Sequence, residues 1–423
     1  MIDLVIKARR PGHLRRLHPK PGLLAARAAV ACLLFCRLLA CAPASAEDTP
    51  PRHTLTIGYV EIAGDPRYAP VMGEDRILLK TRAHPYAGAQ VSIDDAQALR
   101  RVLPVDFALA RISVASAEEV APAVVQALES RDIHLFLIDA PAAAFAPLAA
   151  AVRGRDALLF NISAGDDTLR REQCAPELIH TFPSLAMSMD ALAQFLAARK
   201  WGNVIVLEGP LPADAQAAEA FERSAKKFGA HVVAHERFKP GTDPRERDQN
   251  NPTLLTALNR DYDAVFVADD AFDFAREVPY RTQRPRPVIG SIDLAPVAWH
   301  WTWEHNGAPQ VQARFQARAG GRHMEGADWA AWIAVKMIVQ AALRTRATDV
   351  KPLRDFILGG AFDGDKGVAV SVRPWDHQLR QAMLLASPYA VVASAPVEGA
   401  LHRLDDLDTL GDDQPETPCH LDK

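Results

Sequence analysis

Short apolar runs rich in β-branched residues alternate along the chain with longer stretches whose apolar positions recur every three or four residues. Leu55 to Ile62, Val105 to Arg111, Ile133 to Asp139 and Leu158 to Ile162 are of the first kind. Residues 87–101, 117–130 and 141–152 are of the second. Runs this short, bounded by turn residues, predict buried strands, and the longer stretches predict helices. Strict alternation of the two predicts a parallel sheet covered on both faces. Ser116 followed by Glu119 reads as a capping box for the second helix, with Pro122 favouring a later start.

The pattern then restarts. Ser184 to Lys200 predicts a helix that ends at Trp201-Gly202, followed by strand Val204 to Glu208. Helix Ala213 to Phe228, strand His231 to Arg237, helix Thr253 to Arg260, strand Ala264 to Ala268, helix Asp273 to Tyr280 and strand Val288 to Ser291 complete a second α/β unit. Two similar lobes therefore stand in tandem, with the chain passing between them near His180 to Ser184. Trp299, Trp301 and Trp303 alternate with polar residues at the period of a strand. A long helix, Ala327 to Leu343, precedes Gly-rich turns and a last β-rich stretch.

The first 46 residues differ from the rest. A basic stretch (Arg9, Arg10, Arg15, Arg16, Lys20, Arg27) precedes a 13-residue apolar run from Ala28 to Ala40, interrupted by Arg37. A membrane-spanning helix needs about 20 apolar residues, so this reads as a cleaved signal peptide and implies export to the periplasm. Ala44-Ser45-Ala46 offers the cleavage site, and Leu38-Leu39-Ala40-Cys41, resembling a lipoprotein box, is the alternative. Removing residues 1–46 takes eight of 48 Lys/Arg and one of 52 acids, which leaves a net charge near −11. That excess argues against nucleic acid or anionic lipid as partners, leaving the mature chain at most peripheral to a membrane. Of five cysteines, only Cys174 and Cys419 remain beyond the leader. Two cysteines in an oxidising compartment suggest one disulfide, with two free thiols as the alternative. Such a bridge stabilises by roughly 4–5 kcal/mol if unstrained.

Candidate chemistry is sparse. There is no Gly-x-Ser-x-Gly elbow, phosphate loop, dinucleotide fingerprint or His-Glu-x-x-His pair, so neither catalytic residues nor a cofactor are expected. His231 and His235 sit in a strand-like run that closes no metal-ligand set, and the acids of residues 405–413 lack a calcium-loop pattern; no metal is expected. The tryptophan row suits a core or hinge, or stacking on a flat ligand. Loops beyond the carboxyl ends of parallel strands are the expected ligand positions. By that rule Tyr68, Asp139, Ser163, Ala164, Asp166, Glu208, Asp269, Asp270, Ser291 and Asp293 are candidates. Asp269 and Asp270 could hold an ammonium, a hydroxyl or a cation, although acids after a strand are more often helix caps.

Strand Leu55 to Glu61, the helix opening at Pro85-Tyr86-Ala87-Gly88-Ala89-Gln90, Phe160-Asn161-Ile162-Ser163-Ala164 and Lys226-Lys227-Phe228-Gly229-Ala230 resemble the type I periplasmic solute-binding proteins of branched-chain amino acid ABC transporters. Residues 287–291, 298–301 and 373–381 look like a subgroup associated with pyrroloquinoline-quinone-dependent alcohol oxidation. The resemblance implies two Rossmann-like lobes joined by a three-crossover hinge, a small molecule in the cleft and a membrane permease as partner. A ligand sensor using the same lobes is the alternative. After a 1–46 leader, residues 47–181 and 304–364 would form the first lobe, 182–303 and 365–398 the second, and 399–423 an acidic tail. Relatives hold a ligand carboxylate with Ser followed by Ala-Thr, whereas this chain reads Ser163-Ala164-Gly165-Asp166. An acid there implies a ligand other than an amino acid, because two like charges 4 Å apart at an effective dielectric near 20 repel by about 4 kcal/mol.

Overall fold

The structure, a computed structural model, describes residues 53–69, 82–102, 104–241 and 243–421. The expected leader and Cys41 lie outside them. The first lobe is built on five parallel strands, β1 (His53–Ile62), β2 (Val105–Val114), β3 (Leu135–Asp139), β4 (Leu158–Asn161) and β5 (Leu178–His180), in the order β2-β1-β3-β4-β5. Helices α1 (Tyr86–Ala96), α2 (Val120–Arg131) and α3 (Phe145–Val152) connect them. The strand period divides the core: Leu135 and Leu137 of β3 face one buried cluster, Phe136 and Ile138 the other. Ser116 opens the turn before α2 without a side-chain cap bond, while Glu119 takes the Ala115 N–H instead.

The second lobe repeats the arrangement with α4 (Leu185–Arg199), β6 (Asn203–Glu208), α5 (Pro212–Lys227), β7 (His231–Arg237), β8 (Ala264–Ala268) and β9 (Val288–Gly290), ordered β7-β6-β8-β9. The helix expected over 253–260 is shorter, Pro252–Leu255, with the Thr256 hydroxyl on the Pro252 carbonyl at 2.7 Å. The short strand β10 (Ala295–Val297) follows.

The chain then re-enters the first lobe through α6 (Ala308–Arg318), α7 (Gly326–Thr345), α8 (Val350–Gly359) and a small antiparallel sheet of β11 (Ala361–Asp363), β12 (Ala369–Val372) and β13 (Leu379–Arg380). It returns to the second lobe as β14 (Met383–Ser387) and β15 (Ala390–Ala395), which pair beside β10. Val370, Val372 and Leu379 pack in the first-lobe core and Met383 and Leu385 in the second. We therefore place the third passage at 380–383, later than the 364/365 boundary expected from sequence. Likewise Ala298 and Trp299 already belong to the first core, so the second passage precedes the expected 303/304.

The tryptophan row is not a strand. The Trp303 N–H returns to the His300 carbonyl at 3.0 Å, and this turn destroys the alternation. Trp299 is buried, Trp303 donates to the Asp365 carbonyl, and Trp301 is partly exposed against His323, with ring centroids 4.4 Å apart.

All three passages are joined by buried side chains. Gln378 donates to the carbonyls of His180 (3.1 Å) and Phe182 (3.2 Å), and Gln381 to Thr181 (3.0 Å). The Lys366 ammonium donates to the carbonyls of Ala298 and Ala382 and to Gln381 Oε1, and lies 3.6 Å from the Trp329 ring centroid. Cys174 and Cys419 are bridged. A cavity of about 450 Å³ lies on the outer side of the first lobe between α1, α6 and α7, away from the strand ends.

α1 and α7 approach so closely that only glycine fits at position 88. A Cβ there would lie 2.1 Å from the Asp328 carbonyl oxygen, a backbone atom held within α7. Gly88→Val should cost about 3 kcal/mol in urea unfolding. Gly202→Ala, which meets no atom within 4 Å, should stay close to the parent.

Candidate functional site

In each lobe the chain order reverses between the first and third strands, β1 and β3 or β6 and β8. The loops leaving these strands diverge there and open a crevice at their carboxyl ends. Asp139 ends β3 at the first crevice and is completely buried. A buried carboxylate needs donors. Tyr68 Oη (2.7 Å), His84 Nδ1 (2.7 Å), Tyr59 Oη (3.2 Å) and Arg67 Nη2 (3.3 Å) surround it.

Arg67 organises the rest of this wall. Pro66 starts a short 3-10 turn whose cap, Asp65, accepts the Arg67 N–H and also binds its guanidinium, with Nη2 at 2.7 Å. Nη1 of Arg67 reaches Ser163 Oγ at 3.0 Å. Glu61 of β1 is gripped by both arms of Arg111, at 2.7 and 3.0 Å. Burial alone would push the Asp139 carboxyl up. The His84 bond, the Arg67 charge and the Tyr68 hydroxyl outweigh it and hold the group below its ordinary value. Burial, reinforced by the Asp139 charge, pushes the Tyr68 phenol up, so it remains a donor at neutral pH.

Ser163 thus stands on the wall beside Tyr68 and Asp139. Ala164 does not: it is buried in the core, with its N–H on Asn161 Oδ1 and its carbonyl taken by Asn161 and Arg170. Asp166 is partly buried, and its carbonyl accepts from Arg170 at 3.0 Å.

On the second lobe, Asp269 caps the turn after β8 by accepting the Phe274 and Ala275 N–H groups, and its own N–H donates to Ser291 Oγ at 2.9 Å. Asp270 donates its N–H to Asp214, while its carboxylate meets Arg82 of the first lobe at 3.4 Å. The Arg82 guanidinium also lies 5.4 Å from the Phe272 ring centroid. Arg82 is two residues before His84, so this contact brings the second-lobe loop to the Asp139 wall. Glu208, at the end of β6, is held by His235 (2.8 Å) and Arg237 (2.9 Å) and joins none of the other candidates through these pairs. Asp293 is exposed, with φ 59°.

The structure therefore gathers Tyr68, Asp139 and Ser163 on one wall and Asp269, Asp270 and Ser291 on the other. Sequence reasoning missed Arg67, Arg82 and His84. The usable signal was that Asp139, ending an otherwise apolar strand, required donors, and the loop ending at Tyr68 held the nearest cation.

Residues 87–278 match the family model described as periplasmic binding protein. A branched-chain amino acid ABC transporter periplasmic ligand-binding protein from Burkholderia xenovorans superposes with a TM-score of 0.66 at 14% identity, covering 87% of this chain and all of that one. The chain has the fold of the type I periplasmic binding proteins. Two further structural neighbours share this fold. A leucine-, isoleucine-, valine-, threonine- and alanine-binding protein from Brucella ovis, in closed conformation, gives a TM-score of 0.61 at 13% identity, covering 79% and 89% of the two chains. A Rhodopseudomonas palustris solute-binding protein in complex with benzoate gives 0.56 at 13%, covering 78% and 92%. No curated protein matches the sequence. Among the described residues, no helix is long and apolar enough to cross a membrane, and no group of three or more His, Cys, Asp or Glu is placed to hold a metal ion.

Because the folded Asp139 carboxyl is held below its ordinary value, its stabilising contribution is complete above the unfolded value and is lost as pH falls through the folded one. Tyr68→Phe removes one donor and raises the folded value. The variant should lose about 1–2 kcal/mol at neutral pH, and its acid unfolding, followed by circular dichroism, should begin at higher pH than in the parent.

Proposed function

We propose that this chain is the periplasmic solute-binding component of an ABC transporter, closing its lobes on a small molecule and presenting the closed form to a membrane permease. The observation that carries this reading is the pair of loop walls at the two strand-order reversals, brought within an ion pair of each other by Arg82 and Asp270. Tyr68, Asp139 and Ser163, with Arg67 and His84, line the first side, and Asp269, Asp270 and Ser291 the second. The subgroup resemblance supports a place in alcohol catabolism. Its segment 373–381 supplies Gln378 and Gln381 of the hinge, so it describes how the lobes are joined rather than what they hold.

The ligand we propose is a neutral, hydroxyl-bearing solute. Asp65 and Asp139 already engage Arg67, and Asp270 engages Arg82, so both cations are largely neutralised before any ligand arrives, and Asp166 adds negative charge to the loop after β4. A ligand carboxylate would meet net repulsion, whereas hydroxyls would donate to the accessible acids Asp166 and Asp270. Calorimetry should therefore detect no micromolar binding of leucine, isoleucine or valine by the parent protein. Asp166→Thr should admit weak amino acid binding, while Tyr68→Phe should weaken the hydroxylated solute about tenfold, the equivalent of one lost hydrogen bond. Micromolar leucine binding by the parent would refute the ligand class and leave the transport reading standing.

A further inference from the structure

The three passages are not the only physical connection between the lobes. Residues 405–421 run beside the hinge, touch both lobes and end on the first. Leu410 is buried in the second-lobe core, the Gly411 N–H donates to Asp190 of α4 at 2.8 Å, and Lys227 of α5 donates to the Gly411 carbonyl (2.9 Å) and to Glu416 (3.0 Å). Near its start, the fully buried Asp408 carboxylate takes Arg373 Nε and Arg380 Nε, each at 2.8 Å, from the segment that leads into the third passage. Beyond these contacts, Asp412 meets Arg171 (3.5 Å), Thr417 donates to the Arg170 carbonyl (3.1 Å), the Leu421 N–H donates to Trp375 (2.9 Å) and Cys419 is bonded to Cys174. Residues 170–174 precede β5 of the first lobe, and Ala175 is packed in its core.

We infer that this segment is a fourth inter-lobe link, a strap closed covalently by Cys174–Cys419, that limits how far the lobes open. A hinge of peptide passages leaves rotation free within steric limits. A strap with noncovalent anchors on both lobes would peel at wide opening, because each hydrogen bond contributes little on its own. A covalent anchor at its far end cannot peel. The Asp408 contacts with Arg373 and Arg380 hold its start close to the third passage, where rotation displaces it least, so the strap tolerates small rotations and resists large ones. On this account the bridge does more than hold a loose segment: it narrows the ensemble of open states.

The test measures inter-lobe distances without ligand. Thioether-linked spin labels are placed at Ser130→Cys on α2 and Tyr280→Cys on the second lobe, both exposed positions, and pulsed electron–electron resonance records the distance distribution. The Cys174→Ser/Cys419→Ser protein should show a broader distribution with an added longer-distance population. The same change should appear when the folded, bridged, labelled protein is treated with a phosphine reductant, an arm that does not depend on the double variant folding. Cleavage of the bridge is verified by thiol mass-tagging, and native fold by circular dichroism. Distributions that superimpose on those of the bridged protein in the folded, bridge-free samples would overturn the inference, leaving the bridge a fastener of its own segment.

Discussion

Everything in this molecule is positioned by a small buried polar hinge. Three stretches of backbone pass side by side through a region closed to water, and their carbonyls at His180, Thr181, Phe182, Ala298 and Ala382 need donors there. Gln378, Gln381, Lys366 and Arg170 supply them. Each of these side chains connects segments far apart in sequence, so no passage can slide without breaking bonds to another. Burial pushes the Lys366 ammonium well down, and its three acceptors and the Trp329 face offset that penalty. Burial, together with the Arg170 charge, also holds His180 well below its ordinary value, so it stays neutral around pH 7.

A hinge of this kind matters because of what it points at. Both sheets have the same strand order, and both therefore open their crevice at the end of their first and third strands. The first-lobe wall is preorganised: Asp139 is saturated by Tyr59, Tyr68, His84 and Arg67, and Arg67 is in turn fixed by Asp65 and Ser163. The second wall is built mainly from backbone caps at Asp269 and from Ser291, with Asp270 free to reach across the gap to Arg82. One rigid wall and one carried by a rotating lobe are the parts that capture by closure requires.

The alternation of elements, the parallel sheets and most strand limits were legible in the sequence, because a fully buried strand is a local pattern of apolar residues. The Cys174–Cys419 pairing was legible too, since only two cysteines remained once the leader was set aside. Asp269 proved to be the cap that was one of its two readings. The failures share a cause. Arg67 and His84 find Asp139 across 72 and 55 residues, a tertiary match that no periodicity records. The third passage was misplaced because residues 369–380 resemble any β-rich stretch and only packing assigns them to the first lobe. The tryptophan row mimicked a strand that a single hydrogen bond from Trp303 to His300 converts into a turn.

The central claim is that one solute is held by both walls while the hinge between them keeps its bonds. Amide hydrogen exchange, with and without a saturating solute chosen for raising the melting temperature, tests it directly. The account predicts added protection in residues 64–69 and 163–167 of the first lobe and 269–272 and 291–293 of the second, with exchange in 180–184 and 378–383 unchanged. Protection confined to one lobe, or centred on the outer cavity between α1, α6 and α7, would contradict it.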